Sequence, residues 1–488
     1  MKKRILLLIF FLGMTGIALV LGLFRRFHSE HLVFNFSRQW GPIQTVPKTT
    51  DKTGMDSILL GGGGGENLVA MWTYFDYQNH YIGSGSVASS IIFTASFSPQ
   101  SGSWSEPMLN ETFEFSTKPQ LAFDDSGNGI LVYVKDRQMW VKHYDPKTGW
   151  GTPHSLSEGL EGRVLGDYPI SGTVIWEPVQ LRVAANGDAV LLWMQYMGTS
   201  FDTQPLNLQL YVASYSAEEG KWVGRQMLSK HTLDEKSVAT IALNGQGQAL
   251  IAWNEQDPQS GGEKISSVLC PKVKLPCQTL QSFDVNHPKG ESAHGISILE
   301  TRSGEFAVLW VSANRGRETS VLRYQTYNGD RWSEPEIASK EGEILPWTLQ
   351  SQNSANGGMV SWVLSNNFQD KIFVMNSKPN GGLGKAQAIA SFGRDDLKGI
   401  PSLRMDQEGN ALIVWAQHTA FLETSILSMS YSPKSGWSEK PFDLSNSKVL
   451  DNDEATAVMM PQGKAAVLWI QGREGSQDIV SRSSNLSQ

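Results

Sequence analysis

The chain has 488 residues, and its 16 Trp, 12 Tyr, 20 Phe and 47 Gly against 18% charged residues fit many short strands joined by glycine turns, which excludes a disordered or coiled-coil chain. A net charge of −7 and a pI near 5.8 lack the cationic footprint of a nucleic-acid binder, and no Lys/Arg block follows the N-terminus, so nucleic acid is set aside as a partner.

Ile5 to Phe24 run for 20 positions without a charge. As a helix such a stretch spans about 30 Å, the thickness of a bilayer's hydrocarbon core. Lys2, Lys3 and Arg4 precede it and Arg25 and Arg26 follow; with the amino terminus the positive charge favours the N-terminal side, which places that side in the cytoplasm and the bulk of the chain outside, periplasmic or extracellular. A cleaved signal peptide is the competing reading, opposed by the length of the apolar stretch and the lack of an A-x-A site. The only cysteines are Cys270 and Cys277, so no residue near the anchor is available for acylation. The expected organisation is a membrane anchor over residues 1–30 and one domain over 31–488.

A motif, Gly-x-(Ala/Val/Ile)-apolar-apolar-apolar-Trp, then recurs eight times. Its copies close at Trp72, Tyr133, Trp193, Trp253, Trp310, Trp362, Trp415 and Trp469, 52 to 61 residues apart. The first copy has one extra residue and the sixth lacks one. Between copies lies a second landmark, a strand ending in Tyr or Phe, a polar Gly turn, then Trp-Ser-x-Pro or a relative: Phe97 to Trp104, Tyr144 to Trp150, Tyr215 to Trp222, Tyr327 to Trp332 and Tyr431 to Trp437. The fourth and sixth copies lack this Trp. The fourth carries Cys270 and Cys277 there, at the two ends of a short loop bounded by prolines, and the reading is a hairpin stapled by a disulfide in place of the outer Trp, with two unbonded thiols as the alternative.

Each unit thus holds four short strands, as one propeller blade does, and the Gly-to-Trp strand is apolar on nearly every residue because neighbouring blades cover both its faces. The last copy lacks an outer strand, whereas Val33 to Val46, with Trp40, resembles one stranded ahead of the first copy. Pairing the two closes the ring and removes the exposed edge. The predicted fold is all-β: an eight-bladed β-propeller of four-stranded blades, closed by an N-terminal strand near 31–46 and preceded by one transmembrane helix.

The Tyr/Phe-x-Pro-x-x-Gly-Trp turn, as in Tyr144-Asp-Pro-Lys-Thr-Gly-Trp150, resembles the corresponding hairpin of bacterial quinoprotein-like propellers, including outer-membrane assembly lipoproteins that use eight Trp-bearing blades. The likeness spans most of residues 31–488 and departs from the family in blades four and six, in the Gly-to-Trp spacing and in having no lipidation cysteine. Sialidase-like propellers are the second choice, but their Asp-box puts Trp three residues after Gly where the gap here is generally six. The resemblance implies architecture, not activity.

Gly61–Gly65 lack the Lys and the helix of a phosphate loop and read as a flexible turn between the first two strands of blade one. The nine histidines show no metal-ligand spacing, and no Gly-x-Ser-x-Gly elbow is present; no metal, cofactor or catalytic residue is assigned. Arg182 and Arg404 occupy the same position in repeats three and seven, five residues before the glycine, and could converge across a channel on an anionic ligand; each could equally pair with a nearby carboxylate. The loops beside the closing aromatics hold Tyr74 and Tyr77 in repeat one, Tyr196 in repeat three and Trp176 in the connection before it, candidates for a protein or glycan partner or for packing those loops. Gln195, Glu255, Gln417 and Gln471 follow their closing Trp by two residues and read as hydrogen-bonding groups at strand ends. The expected function is a membrane-anchored, non-enzymatic binding scaffold; the alternatives are a glycoside-processing, sialidase-like hydrolase and, third, a quinone-dependent dehydrogenase.

Overall fold

The computed structural model describes residues 40–48, 55–63, 67–76, 81–82, 85–86, 89–114, 118–164, 178–197, 207–229, 233, 237–257, 262–271, 275–285, 291–301, 305–314, 319–366, 368–378, 380–420, 423–445, 455–473 and 476–484. The proposed membrane segment lies outside them, and among the described residues no helix is long and apolar enough to cross a membrane.

The chain is all-β and its sheets are antiparallel. Repeat one pairs Met55–Gly62, Leu68–Asp76, Ser89–Ser98 and Met108–Glu114 in chain order. Repeat two begins with Gln120–Phe123, Gly129–Lys135 and Gln138–Asp145, repeat three with Val179–Val183, Ala189–Tyr196 and Leu208–Ser216, and repeat four with Ala239–Leu243, Ala249–Gln256 and Glu263–Cys270; each is completed by one or two outer segments. Repeats five and six share the 19-residue strand Glu336–Ser354, whose first part pairs with Ser320–Tyr327 and whose second part opens the next unit against Gly357–Ser365. Repeat seven starts with Leu397–Met405, Ala411–Ala420 and Glu423–Ser432. Repeat eight pairs Ala455–Met460, Lys464–Arg473 and Ser476–Ser483, and its outer strand is Gln44–Val46 from the other end of the chain. Around that junction Gly41 N–H donates to Ser483 O at 2.8 Å, and Lys48 meets Asp478 at 2.8 Å.

Packing follows the repeat. The Gly-to-Trp strands are buried along their length, as in Ala189–Tyr196, where every residue is enclosed. Each hydrophobic cluster lies at a seam between successive repeats, with Trp193 between repeats two and three and Trp415 between six and seven. One cluster joins repeat eight to repeat one through Val46, Ile58, Trp72 and Leu468. The first strands likewise touch their neighbours in chain order, and Ala455–Met460 touches Met55–Gly62. Side chains stitch these strands laterally: Gln180 donates to Ala239 O at 2.7 Å, Ser297 to Ser351 Oγ at 2.7 Å, and Leu403 N–H to Gln350 Oε1 at 3.3 Å.

The outer Trp residues each turn toward the preceding repeat. Trp104 donates to Ser481 Oγ at 2.9 Å and Trp150 to Thr94 Oγ1 at 3.2 Å, while Trp332 packs edge-on against Phe283 at 4.9 Å. Trp40 fills the same place between repeats seven and eight. Between repeats three and four that place is taken by the disulfide Cys270–Cys277 with Leu275.

The glycine run differs from the sequence expectation. Gly61 and Gly62 are not turn residues; they end the first strand, paired with Val69 and Leu68. Close approach is the reason. A Cβ on Gly61 would stand 2.2 Å from the Phe123 ring, and one on Gly63 2.3 Å from Asp124 O, so side chains here would push repeat two away.

Candidate functional site

The end of the sheets at which the closing Trp residues sit carries a recurrent irregularity. In repeat five Ala293 pairs with Ser312 and Ile296 with Trp310, so His294 and Gly295 stand opposite one residue. In repeat six Leu345 pairs with Val363 and Gln350 with Ser361, which places residues 346–349 opposite Trp362. In repeat seven Lys398 pairs with Ala416 and Ser402 with Val414, placing residues 399–401 opposite Trp415. Repeat three opens at the same level: Val164 pairs with Gln195 and Val179 with Trp193. Bulges at corresponding positions of three consecutive first strands re-aim side chains away from the regular pleat, a device that recurs beside binding sites.

Trp347 in the second bulge is 46% exposed and Ile400 in the third 38%; His294 in the first is also exposed. Phe368, in the turn after the closing strand of repeat six, is 85% exposed. Its carbonyl accepts from Arg394 N–H at 3.3 Å, and the Arg394 guanidinium stands 3.6 Å from Glu343, four residues before Trp347. These bulges are held. The Thr348 hydroxyl donates to Leu345 O at 2.7 Å and accepts from Val363 N–H at 2.8 Å, replacing ladder bonds that the bulge removes. A Cβ on Gly295 would lie 2.9 Å from Pro346 O, so the first bulge rests directly on the second. His418 N–H donates to Asp396 O at 2.8 Å, tying the connection into repeat seven to its closing strand. The result is an aromatic and aliphatic surface on a fixed backbone, with one ion pair beside it, suited to apolar or ring-stacking contacts.

The opposite ends of the first strands form polar turns. Asp124 Oδ1 accepts from Ser126 and Asn128 N–H at 2.8 Å each, and Asn244 and Asp406 cap their own turns in the same way. Asp406 Oδ2 also accepts from Gly463 N–H at 2.8 Å, and Glu300 Oε2 from Gly245 N–H at 3.0 Å, so carboxylates fasten neighbouring repeats. Burial pushes the Glu300 carboxyl up to about 7, against the opposing effect of the Gly245 N–H. Among the described residues no three His, Cys, Asp or Glu side chains are grouped to hold a metal.

Arg182 and Arg404 adopt the same local arrangement toward this end of their strands: each Nη1 donates to the preceding carbonyl, Leu181 O at 2.9 Å and Leu403 O at 2.8 Å. Tyr74 and Tyr196 correct the sequence reading. Both rings are buried rather than offered to a ligand, Tyr74 edge-on against Phe93 at 6.0 Å and Tyr196 within the core between repeats three and four. They occupy the last turns of apolar strands, where neighbouring repeats still cover them. Tyr77 and Trp176 lie outside the described residues. Three of the residues two after a closing Trp accept its indole N–H: Gln195 at 3.3 Å, Glu255 at 3.1 Å and Gln417 at 3.1 Å. The bulged surface was missed from the sequence, though its signals were present: Gly295, Pro346, Gly399 and Pro401 each interrupt a strand pattern.

No family model and no curated protein matches the chain. Solved structures similar to it include a protein of unknown function from Dyadobacter fermentans (12% identity, 92% of this chain and 99% of that one, TM-score 0.42). The β-propeller domain of the Trilobed protease from Pyrococcus furiosus matches at 7% identity over 82% of this chain and 97% of that one, TM-score 0.43. The polysaccharide lyase Uly1 matches at 9% identity over 90% of each chain, TM-score 0.43. None of these likenesses carries information on activity.

Proposed function

We propose that this chain is a closed eight-bladed β-propeller, anchored by residues 5–24 with its N-terminus in the cytoplasm, that serves outside the cytoplasm as a non-enzymatic scaffold for a protein or glycan partner. The observation that carries the binding role is the fixed, bulged surface of repeats five to seven, which leaves Trp347, Ile400 and Phe368 exposed on a chain that buries the aromatic closing each repeat motif. Closure is supported by the cyclic contacts of the first strands and by Gln44–Val46 in the last sheet. The Tyr-to-Gly-Trp hairpins support kinship with quinoprotein-like propellers. Arg182 and Arg404 are the proposed cations of the channel for an anionic part of the partner.

The test is proximity labelling with the full-length chain beside a glycan array, using wild type and Trp347→Ala/Phe368→Ala. Partner or glycan signals that vanish in the variant at unchanged melting temperature support the reading. Equal signals from both proteins would refute the site. New reducing or unsaturated ends on an arrayed glycan would replace the scaffold with a carbohydrate-processing enzyme.

A further inference from the structure

At most seams between repeats, the outer part of the wedge is filled by a ring pair, Tyr327 with Trp332 at 5.2 Å and Tyr431 with Trp437 at 5.4 Å among them. Repeat six breaks this pattern. Ser377 bridges to Leu383 where Tyr327 bridges to Trp332, so both rings of the pair are replaced by small or aliphatic groups. Leu383 is buried at the seam with repeat five, yet its side chain does not reach as far as an indole. Beside Leu383, along Gly384, Lys385 and Ala386, a groove of about 500 Å³ opens between the two repeats.

Its walls are chemically mixed. Leu364, Phe373 and Met375 of repeat six face Ile337 of repeat five, and the Phe373 ring is itself stacked on Trp362 at 5.7 Å, which fixes its plane. Ile337 is 58% exposed, an aliphatic side chain without a neighbour to cover it. Lys371 and Lys385 stand on the lining, and among the described residues neither is within ion-pair distance of a carboxylate. The acidic group beside the groove, Glu336, is engaged by Tyr324, whose hydroxyl donates to it at 2.7 Å. Apolar walls, an open groove beside a seam that lacks its ring pair, and two ammonium groups without a carboxylate partner among the described residues together define the complement of one ligand class.

We propose that the seam between repeats five and six binds a free small aromatic carboxylate, its ring lying between Ile337 and Phe373 and its carboxylate meeting Lys371 and Lys385. This site is separate from the bulged surface, and it stands or falls independently of the scaffold reading.

The test is calorimetric titration of the full-length chain in lipid nanodiscs with indole-3-acetate and with tryptamine, its cationic counterpart, against empty nanodiscs. The expected result is saturable binding of indole-3-acetate and none of tryptamine. Leu383→Trp, which extends a ring from the edge of the groove beside Gly384, and Lys371→Gln/Lys385→Gln, which removes the charge from its lining, should each weaken binding by roughly tenfold or more. The lysine double variant keeps the test decisive even if Leu383→Trp misfolds, which its melting temperature reports. Binding of tryptamine equal to indole-3-acetate, undiminished binding by the lysine double variant, or no binding to wild type up to roughly 1 mM would overturn the proposal.

Discussion

The indole N–H of Trp415 donates to Gln417 Oε1 at 3.1 Å, a bond between two residues of one strand separated by a single alanine. Alternation places both side chains on the same face of the sheet, and burial at the seam leaves the indole no water to turn to. Gln417→Met should therefore leave a buried donor unpaired and lower stability by about 1–2 kcal/mol, read as a drop in melting temperature with unchanged circular dichroism. Trp193 and Gln195 repeat the arrangement at 3.3 Å, so Gln195→Met should behave alike.

Glu300 and His143 should impose opposite pH slopes. Burial raises the Glu300 carboxyl from 4.5 to about 7, so between those values the folded chain holds more protons than the unfolded one. Its contribution is full below pH 4.5 and lost as pH rises through 7. For His143, burial and then the neighbouring His154 lower the imidazole from 6.5 to about 4, so its contribution is full above pH 6.5 and lost as pH falls through 4. Each amounts to about 1–3 kcal/mol. Glu300→Gln should raise the melting temperature at pH 8 and not at pH 4.5, and His143→Phe should raise it at pH 4 relative to wild type; melting curves at a series of pH values check both.

Trp347→Ala and Phe368→Ala remove exposed rings, so each should change the melting temperature little while abolishing partner retention. Thr348→Val is the sharper probe. It keeps the shape but deletes the hydroxyl that accepts from Val363 N–H and donates to Leu345 O, and should cost about 1–3 kcal/mol while weakening binding through a loosened bulge. Thermal melts paired with the binding assay separate the two effects.

Removing residues 40–46 takes away the strand that pairs with Ser476–Ser483, together with Trp40 from the seam of repeats seven and eight. The loss of a buried Trp alone is about 3–5 kcal/mol. A broad fall in melting temperature and new binding of an apolar dye are expected from the exposed edge.

Most of the architecture was legible because it rests on local chemistry repeated in sequence. Trp415 and Trp469 close strands with the same apolar run before them, and the pairing of the segment before repeat one with the strands of repeat eight could be inferred from a landmark missing at one end and present at the other. The acceptor role of Gln417 followed from its spacing. The fates of Tyr74 and Tyr196 did not, because whether a ring at a strand end meets solvent depends on how far the neighbouring repeat extends, a tertiary property. The bulged surface was hidden for the opposite reason. Pro346 and Gly399 mark interruptions, but only the register shows that they fall at one level in consecutive repeats and push Trp347 and Ile400 outward.

Gln44 and Ser481 are 437 positions apart, yet they share one sheet. A ribosome that has made the first of them must add 437 more residues before it has made the second, at a pace of about 5–20 residues per second. For that interval Gln44–Val46 waits without its mate, and its sheet is complete only when Ser476–Ser483 arrives. Assembly of this sheet is thus timed by Ser476–Ser483, and a nonsense codon ahead of that strand should leave Gln44–Val46 without a place.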